Sequence, residues 1–175
     1  MKKAVADTSA LISIALSGKL PEVVENIGLF VPKAVKLEIA EMAEYGDIEG
    51  SAAKNLLNFI KNKKINLIEV KNEKNARDLT GKSIDQGEAE CFELAAEEKI
   101  GTILMDDVNA AYRITGLAKP KNISIKISTA AIVELIKQEK LAKKQGIFAL
   151  QKMVKNRQWE KGILEFLIKK YVKEI

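Results

Sequence analysis

The sequence predicts a three-layer α/β/α fold in which helices cover both faces of a mostly parallel central sheet. Along the 175 residues, short apolar runs of strand length alternate with amphipathic stretches of helix length. Parallel strands need crossover connections, which helices supply. Apolar residues make up 47% of the chain and charged residues 30%, with only 10 Gly and 3 Pro, which is typical of a folded, helix-rich protein.

The first half of the chain supplies three of the expected strands. Residues 4–6 end a short buried strand, and Asp7-Thr8-Ser9 caps a helix that Gly18 stops. After an amphipathic stretch at 20–27 comes a second strand at 29–31, and Pro32 then starts a helix that reaches Met42. The remaining expectations here are a loop at 46–51, a helix containing Leu56, Leu57 and Ile60, and a strand at 65–70.

The second half repeats the alternation. Helices resume near Glu73, a polar turn at 83–87 leads into a helix at 88–99, and an apolar strand at 102–105 ends at Asp106-Asp107. A helix follows from Val108, and a loop at 119–122 precedes a last strand at 123–127. An apolar helix at 129–137 and two basic amphipathic helices complete the chain as a helical extension.

The inventory of residues excludes several classes of site. The chain has no His and one Cys, so zinc sites, His-based triads and an intramolecular disulfide framework are excluded.

The start, Met1-Lys2-Lys3 with apolar residues after it, resembles a signal peptide, but Asp7 interrupts the apolar stretch. The longest uncharged run, 8–18, is far below the ~20 residues that span a bilayer. We therefore expect a cytoplasmic protein that makes no membrane contact.

Positive charge is concentrated at the end of the chain. Residues 1–136 hold 18 Lys and Arg against 20 Asp and Glu, whereas residues 137–175 hold 11 against 4. Such asymmetry favours an anionic partner for the tail, although a solvated lysine-rich helix face is the commoner explanation. The tail residues with which we expect nucleic acid to make contact are Lys152, Lys155, Arg157 and Lys161.

Acidic residues directly follow two of the predicted strands. Asp7 follows the first, and Asp106 and Asp107 follow the strand at 102–105. Ligands of parallel α/β sheets bind outside the carboxyl ends of the strands, which makes these acids candidates for a site. Each taken alone is also a good helix N-cap, and that is the simpler explanation.

Two further acids lie on predicted helices beside apolar residues. Asp85-Gln86-Gly87-Glu88 has the spacing of a capping box, and Glu88 shares its helix face with Cys91 and Phe92, whereas Glu90 lies on the solvated face. A carboxylate near an apolar face needs a cap or a cation. In the helix after Pro32, Glu38 and Glu41 both have apolar neighbours one turn away, and periodicity does not choose between them.

Four of these segments together resemble the PIN-domain nucleases, which include the VapC toxins of toxin–antitoxin pairs. The matching segments, in order, are Val5-Ala6-Asp7-Thr8-Ser9-Ala10-Leu11-Ile12, Val35-Lys36-Leu37-Glu38-Ile39, Asp85-Gln86-Gly87-Glu88-Ala89-Glu90 and Ile103-Leu104-Met105-Asp106-Asp107. The third segment is similar to a PIN subfamily described as predicted nucleic-acid-binding proteins. The resemblance divides the chain into a PIN-like nuclease domain at 1–140 and a basic helical extension at 141–175, packed on the domain or on a partner subunit.

The resemblance also implies residue roles. The catalytic acids are Asp7, Glu38, Glu88 and Asp107, and the metal ligands are drawn from Asp7, Glu88, Asp106 and Asp107. Thr8 or Ser9 supports Asp7, and Arg113 stands near the position of an Arg in the subfamily and would bind nucleic acid. Oxygen ligands without His or a thiolate cluster suit Mg²⁺ or Mn²⁺ rather than Zn²⁺.

The function implied is a metal-dependent endoribonuclease acting on single-stranded RNA, either a VapC-type toxin or an RNA-processing enzyme. A homodimer is expected, and an antitoxin protein is a partner if the toxin role holds. One alternative is an inactive PIN-like protein that binds RNA or acts as a scaffold. A second is a Mg²⁺-dependent aspartyl-phosphate phosphatase, which normally has an acid two residues after its nucleophile; here that position is Ser9.

Overall fold

The computed structural model describes residues 1–80 and 84–174, and within them the sheet has five parallel strands in the order β3-β2-β1-β4-β5. The strands are β1 (Lys3–Ala6), β2 (Gly28–Val31), β3 (Asn66–Leu67), β4 (Thr102–Leu104) and β5 (Ser124–Lys126). β1 lies at the centre, paired with β2 through Val5 and Phe30 and with β4 through Val5 and Ile103. The strand order reverses direction between β1 and β4. That reversal creates the crevice where open α/β sheets bind ligands.

Helices form the two outer layers of the predicted α/β/α architecture. They are α1 (Thr8–Leu16), α2 (Leu20–Asn26), α3 (Lys33–Met42), α4 (Ile48–Lys61), α5 (Glu73–Thr80), α6 (Gln86–Glu97), α7 (Val108–Ala118), α8 (Thr129–Lys137), α9 (Lys143–Asn156) and α10 (Ile163–Glu174). One packed group contains α1, α2, α8 and α9, a second contains α5, α6 and α7, and α3 contacts members of both. None of these described helices is long and apolar enough to cross a membrane.

The core is aliphatic and continuous from the sheet into both helix layers. β1 contributes Ala4, Val5 and Ala6, all fully buried, which is why this strand is apolar without alternation. In α1, Leu11, Ile12 and Ile14 are also fully buried, so this helix is covered on nearly every side. Because β1 and α1 are so enclosed, the residue between them, Asp7, is held in a fixed position.

Some predicted boundaries differ from the observed ones. The strand expected at 65–70 is reduced to Asn66–Leu67, because the Ile65 N–H is already bonded to the Phe59 carbonyl in the turn that closes α4. The loop expected at 46–51 ends early, since Asp47 caps α4 by accepting from the Gly50 N–H at 2.8 Å. The loop at 119–122 contains a 3₁₀ turn, Lys119–Lys121.

The helix expected at 88–99 begins earlier and ends earlier, at Gln86 and Glu97. The predicted turn before it starts at Ser83, which lies outside the described residues. The predicted helix at 129–137 is confirmed, and helices do resume at Glu73 and begin at Val108.

Candidate active site

Asp7 lies where β1 passes into α1, and its carboxylate is fully engaged by the first turn of that helix. Its backbone is extended, and Oδ1 accepts a hydrogen bond from the Ala10 N–H at 2.7 Å. The Ser9 hydroxyl lies 2.9 Å from each carboxylate oxygen. The side chain is 7% exposed. Asp7 is therefore both a helix cap and a buried anion at the carboxyl end of the central strand.

Asp106 lies beside Asp7, at the end of the neighbouring strand β4. Its backbone N–H donates to the Ser9 hydroxyl at 3.1 Å, so Ser9 bridges the two acidic segments. The carboxylate accepts from both the N–H and the hydroxyl of Ser128, each at 2.7 Å. These contacts hold a nearly buried carboxylate in the crevice between β1 and β4.

Asp107 points elsewhere. It is exposed, and its Oδ1 accepts from the N–H groups of Asn109 and Ala110 at 2.8 and 2.9 Å. These bonds make it the N-cap of α7. The adjacent acids thus have different environments, one buried in the crevice and one on the surface at a helix start.

Glu38 reaches the same crevice from α3. The Thr8 hydroxyl donates to its Oε2, which joins Glu38 to the segment that holds Asp7. The carboxylate also lies against the backbone of Gly87, where a β-carbon would collide with Oε1. Glu41, the alternative on the same helix, is exposed. The structure therefore brings Glu38 and not Glu41 to the group of acids.

Glu88 enters from the start of α6 and is 7% exposed. It forms a capping box with Asp85: the Glu88 N–H donates to Asp85 at 2.7 Å, and the Asp85 N–H donates to Glu88 Oε2 at 3.1 Å. Arg113 of α7 places Nη2 3.5 Å from both Glu88 oxygens, a long and weak ion pair.

Glu90 and its neighbour Glu93 are not the solvated acids that helix periodicity indicates. Glu90 accepts from the Ala34 N–H at 2.9 Å and thereby caps α3. Glu93 is buried and accepts from the Asn75 side chain of α5 at 3.1 Å. Packing of α3 and α5 against α6 covers this face, and the sequence of α6 alone does not reveal that.

Burial raises the pKa of all four crevice acids, and neighbouring acids add to the shift for three of them. Burial raises the pKa of Asp7 well above its ordinary value, and the charges of Asp106 and Glu38 raise it further. Burial also raises the pKa of Asp106, against the opposing effect of hydrogen bonds from Ser13 and Ser128.

Burial raises the pKa of Glu38 as well, and the nearby acids Asp85, Glu41 and Glu88 add to the shift. The pKa of Glu88 is raised by burial and by Asp85, against the opposing effect of Arg113. Carboxylates gathered in this way gain stability from a cation placed among them.

The donor set fits a hard divalent cation, although hydrogen bonds hold the acids apart from one another. Across residues 1–80 and 84–174, no three Asp, Glu or Cys side chains stand close enough to form a ready metal site. Glu38 is held by Thr8 and Glu88 by Asp85 and Arg113, and these contacts would have to loosen for both to reach a shared ion. Asp7 and Asp106 lie at the ends of adjacent strands and are linked through Ser9, whose hydroxyl donates to the Asp7 carboxylate and accepts from the Asp106 N–H.

A family model described as a PIN domain matches residues 3–171. This chain belongs to the PIN domain family. The match covers the strands that carry the acids and also α9 and α10, and it supports a metal-dependent nuclease as the general activity. No curated protein matches the sequence.

The basic residues predicted to bind nucleic acid occupy two parts of this PIN domain. Arg113 is at the acidic crevice, whereas the other four lie on α9 and in the turn after it. Arg157 is mostly buried and ion-paired with Glu49 of α4. Lys152 lies over the Phe148 ring with Nζ 5.6 Å from the centroid. Lys155 and Lys161 are exposed.

Two residues that shape the site of this PIN domain do not stand out in the sequence. Ser128 lies two residues after the end of β5, so the rule that led to Asp7 and Asp106 also points to it, but a serine there carries no charge to draw attention. Gly87 is recognisable only as part of a capping box. Its contact with Glu38 joins α6 to α3, residues far apart in sequence, and no local pattern signals it.

Proposed function

We propose that this PIN domain is a Mg²⁺- or Mn²⁺-dependent endoribonuclease that cleaves single-stranded RNA. The observation that carries the proposal is the meeting of Asp7, Asp106, Glu38 and Glu88 in the crevice between β1 and β4. Separate elements of the chain bring these residues there: the Ser9 hydroxyl donates to the Asp7 carboxylate and accepts from the Asp106 N–H, and the Thr8 hydroxyl donates to Glu38. Burial raises the pKa of each of these carboxylates, and the charges of Asp106 and Glu38 add to the shift at Asp7, so a cation placed among them would be stabilising.

Asp7 and Asp106 are the residues that we assign to hold the metal, with Glu38 and Glu88 completing or orienting its ligands. Such an ion, when bound, activates a water for in-line attack on a phosphodiester and stabilises charge on the leaving oxygen. Ser9 keeps both Asp7 oxygens oriented, and Asp107 serves α7 as its cap. The burial of Asp106 and its effect on the pKa of Asp7 support choosing it over Asp107.

Arg113 is assigned to the substrate. Its Nη2 contacts Glu88 only at 3.5 Å, and its side chain is about one-third exposed, so it can exchange this partner for a phosphate oxygen. As part of the same proposal, the enzyme acts in the cytoplasm as a homodimer. A VapC-type toxin with an antitoxin partner and an RNA-processing enzyme are both compatible with this chemistry.

The test is cleavage of a mixed single-stranded RNA pool in Mn²⁺, Mg²⁺ or EDTA, with a DNA pool of the same sequences beside it. We expect metal-dependent cleavage of RNA that falls by more than roughly 100-fold in Asp7→Asn, Asp106→Asn and Glu38→Gln. Glu41→Gln removes a charge from the same helix as Glu38 but from an exposed position, and it should retain activity.

Other results would point to the alternatives. RNA binding without cleavage in any metal would favour the inactive RNA-binding or scaffold protein. Hydrolysis of a phosphate monoester that survives Glu38→Gln would favour the phosphatase, although Ser9 already serves as the bridge between Asp7 and Asp106.

A further inference from the structure

A second concave surface lies at the β3 edge of the sheet and shares no lining residue with the acidic crevice. It is a groove of about 620 Å³ between β3 and the last turns of α4. Its floor is aliphatic and is formed by Leu57, Ile60, Ile65, Leu67 and Ile68. Aliphatic side chains left open in this way can be covered by another chain.

The backbone of β3 leaves one hydrogen-bonding pair directed out of the sheet. β3 is the last strand on its side and pairs only with β2 among the described strands. The Ile68 N–H donates to the Val31 carbonyl at 3.0 Å, so Ile68 is bonded toward β2. Successive residues of a strand direct their N–H and C=O to opposite sides, and Leu67 therefore presents both groups to the open edge. Such an edge can accept a further strand.

The groove is also strongly basic. Lys36 of α3, together with Lys61 and Lys63 at the end of α4, lines its rim. None of the described lining residues is acidic. An occupant therefore meets three positive charges around an aliphatic floor, with an unpaired strand edge along one side.

We propose that this groove binds an extended peptide segment of a partner protein, one that carries both aliphatic and acidic side chains and adds to the sheet beside β3. The aliphatic side chains enter the floor, the acidic ones pair with Lys36, Lys61 and Lys63, and the peptide backbone bonds to Leu67. A second copy of this chain fits poorly, because two basic rims would face each other. Single-stranded nucleic acid fits poorly too, because bases stack on aromatic side chains and the described lining has none. The proposal is independent of the nuclease assignment.

The experiment is selection of random ten-residue peptides displayed on phage against the full chain, followed by anisotropy titration of a labelled synthetic copy of the enriched peptide. Three variants are compared with the wild type. The first combines Lys36→Glu, Lys61→Glu and Lys63→Glu. The second, Leu67→Pro, removes the outward N–H and the Leu67 side chain of the floor but leaves the bonds to β2, a change that edge strands tolerate. The matched control combines Lys54→Glu, Lys74→Glu and Lys144→Glu, three exposed lysines outside the groove.

We expect enrichment of peptides that combine Asp or Glu with Val, Ile or Leu. Their affinity should fall about tenfold or more in the groove triple variant and in Leu67→Pro, and stay unchanged in the control. Bound peptide should also slow hydrogen exchange at the Leu67 amide. Thermal melting of each variant shows whether it is folded.

Three results would overturn the proposal. The first is no enrichment of peptides above background, and the second is a peptide affinity that neither groove variant changes. The third is a peptide affinity that falls in the lysine variant but is unchanged in Leu67→Pro, which would show that the peptide does not add to the sheet as a strand. A fluorescent single-stranded RNA oligonucleotide is titrated in parallel. RNA binding that depends on the same three lysines, with no peptide enriched, would assign the groove to nucleic acid instead.

Discussion

At the scale of single residues, Asp7 is placed where its charge costs stability until a cation is present. Its carboxylate is buried, and Asp106 and Glu38 add negative charge nearby. The Ala10 N–H and the Ser9 hydroxyl compensate only in part. Under the proposed function we assign this burial of charge to metal binding, in addition to the role of Asp7 as the cap of α1.

Asp7→Asn should therefore stabilise the metal-free protein at neutral pH. The folded-state pKa of Asp7 is raised, so the wild type loses stability as pH rises from about 4 through that pKa and stays less stable above it. Asparagine keeps the cap of α1 and carries no charge. We expect a higher Tm than that of the wild type in EDTA at pH 7.5, and almost no difference near pH 4.

Adding Mn²⁺ to the same melting experiment should reverse the order. The ion should raise the Tm of the wild type by mass action and leave Asp7→Asn nearly unchanged. A wild type that is indifferent to Mn²⁺ and already more stable than Asp7→Asn in EDTA would contradict the assigned role of Asp7.

Substitutions of the adjacent acids Asp106 and Asp107 should have different effects on cleavage activity. Asp107→Ser keeps a capping oxygen at the start of α7 and should retain cleavage activity within about threefold, while Asp107→Ala should cost about 1 kcal/mol of stability through the lost cap. Asp106→Asn should abolish cleavage. Loss of activity in Asp107→Ser at unchanged Tm would instead favour Asp107 as the ligand, the choice that motif resemblance makes.

At the scale of elements, the contact between α3 and α6 sets the position of Glu38. Gly87 leaves room for the Glu38 carboxylate, and a β-carbon at that position would displace Oε1. The displaced group is the end of a flexible side chain, so the helix itself is not disturbed. Gly87 thus matters for the site more than for the fold.

Gly87→Ala should lower RNA cleavage about tenfold or more by moving Glu38, while Tm changes by less than about 3 °C. Gly116→Ala is the matched control, because no atom lies within 4 Å of its β-carbon and it also lies within a helix. That change should stabilise the protein by about 0.5–1 kcal/mol and leave cleavage unaffected. Equal cleavage activity in Gly87→Ala and Gly116→Ala would show that cleavage does not depend on the observed position of Glu38.

The sequence predicts elements best where apolar residues are continuous and caps are explicit. β1, β4, α1 and α8 meet both conditions, and their neighbours Asp7 and Asp106 can be assigned to the carboxyl edge from the order of residues alone. The length of β3 was overestimated, because a run of apolar residues does not show how many of them pair with a neighbouring strand. The bridges made by Ser9, Thr8 and Ser128 depend on distances between separate elements, and local patterns carry no information about those.

At the scale of the whole molecule, α9 is built into the core. Ala149, Leu150 and Met153 are buried, and α9 packs against α1 and α8. Arg157 adds an ion pair to Glu49 of α4. The division at residue 140 into a nuclease domain and an extension stays a prediction, and the match of the family model continues to residue 171.

Leu150→Ala tests whether α9 unfolds together with the rest of the protein in a single transition. If it does, the variant should lose about 2–5 kcal/mol and melt about 5–15 °C lower in one transition. Gln151→Ala, the exposed neighbour on the same helix, should melt within about 2 °C of the wild type. A small, separate early transition in Leu150→Ala would show that α9 behaves as an appendage.

The bridge between Asp106 and Ser128 has a consequence for biosynthesis. The ribosome adds Ser128, which holds Asp106, 121 residues after it adds Asp7. At about 5–20 residues per second, on the order of 10 s separate the two events. The cover that α9 provides for α1 arrives later still. A nascent chain therefore carries an unassembled acidic crevice until Ser128 and α9 have been made, and under the proposed function its nuclease site forms only after that point.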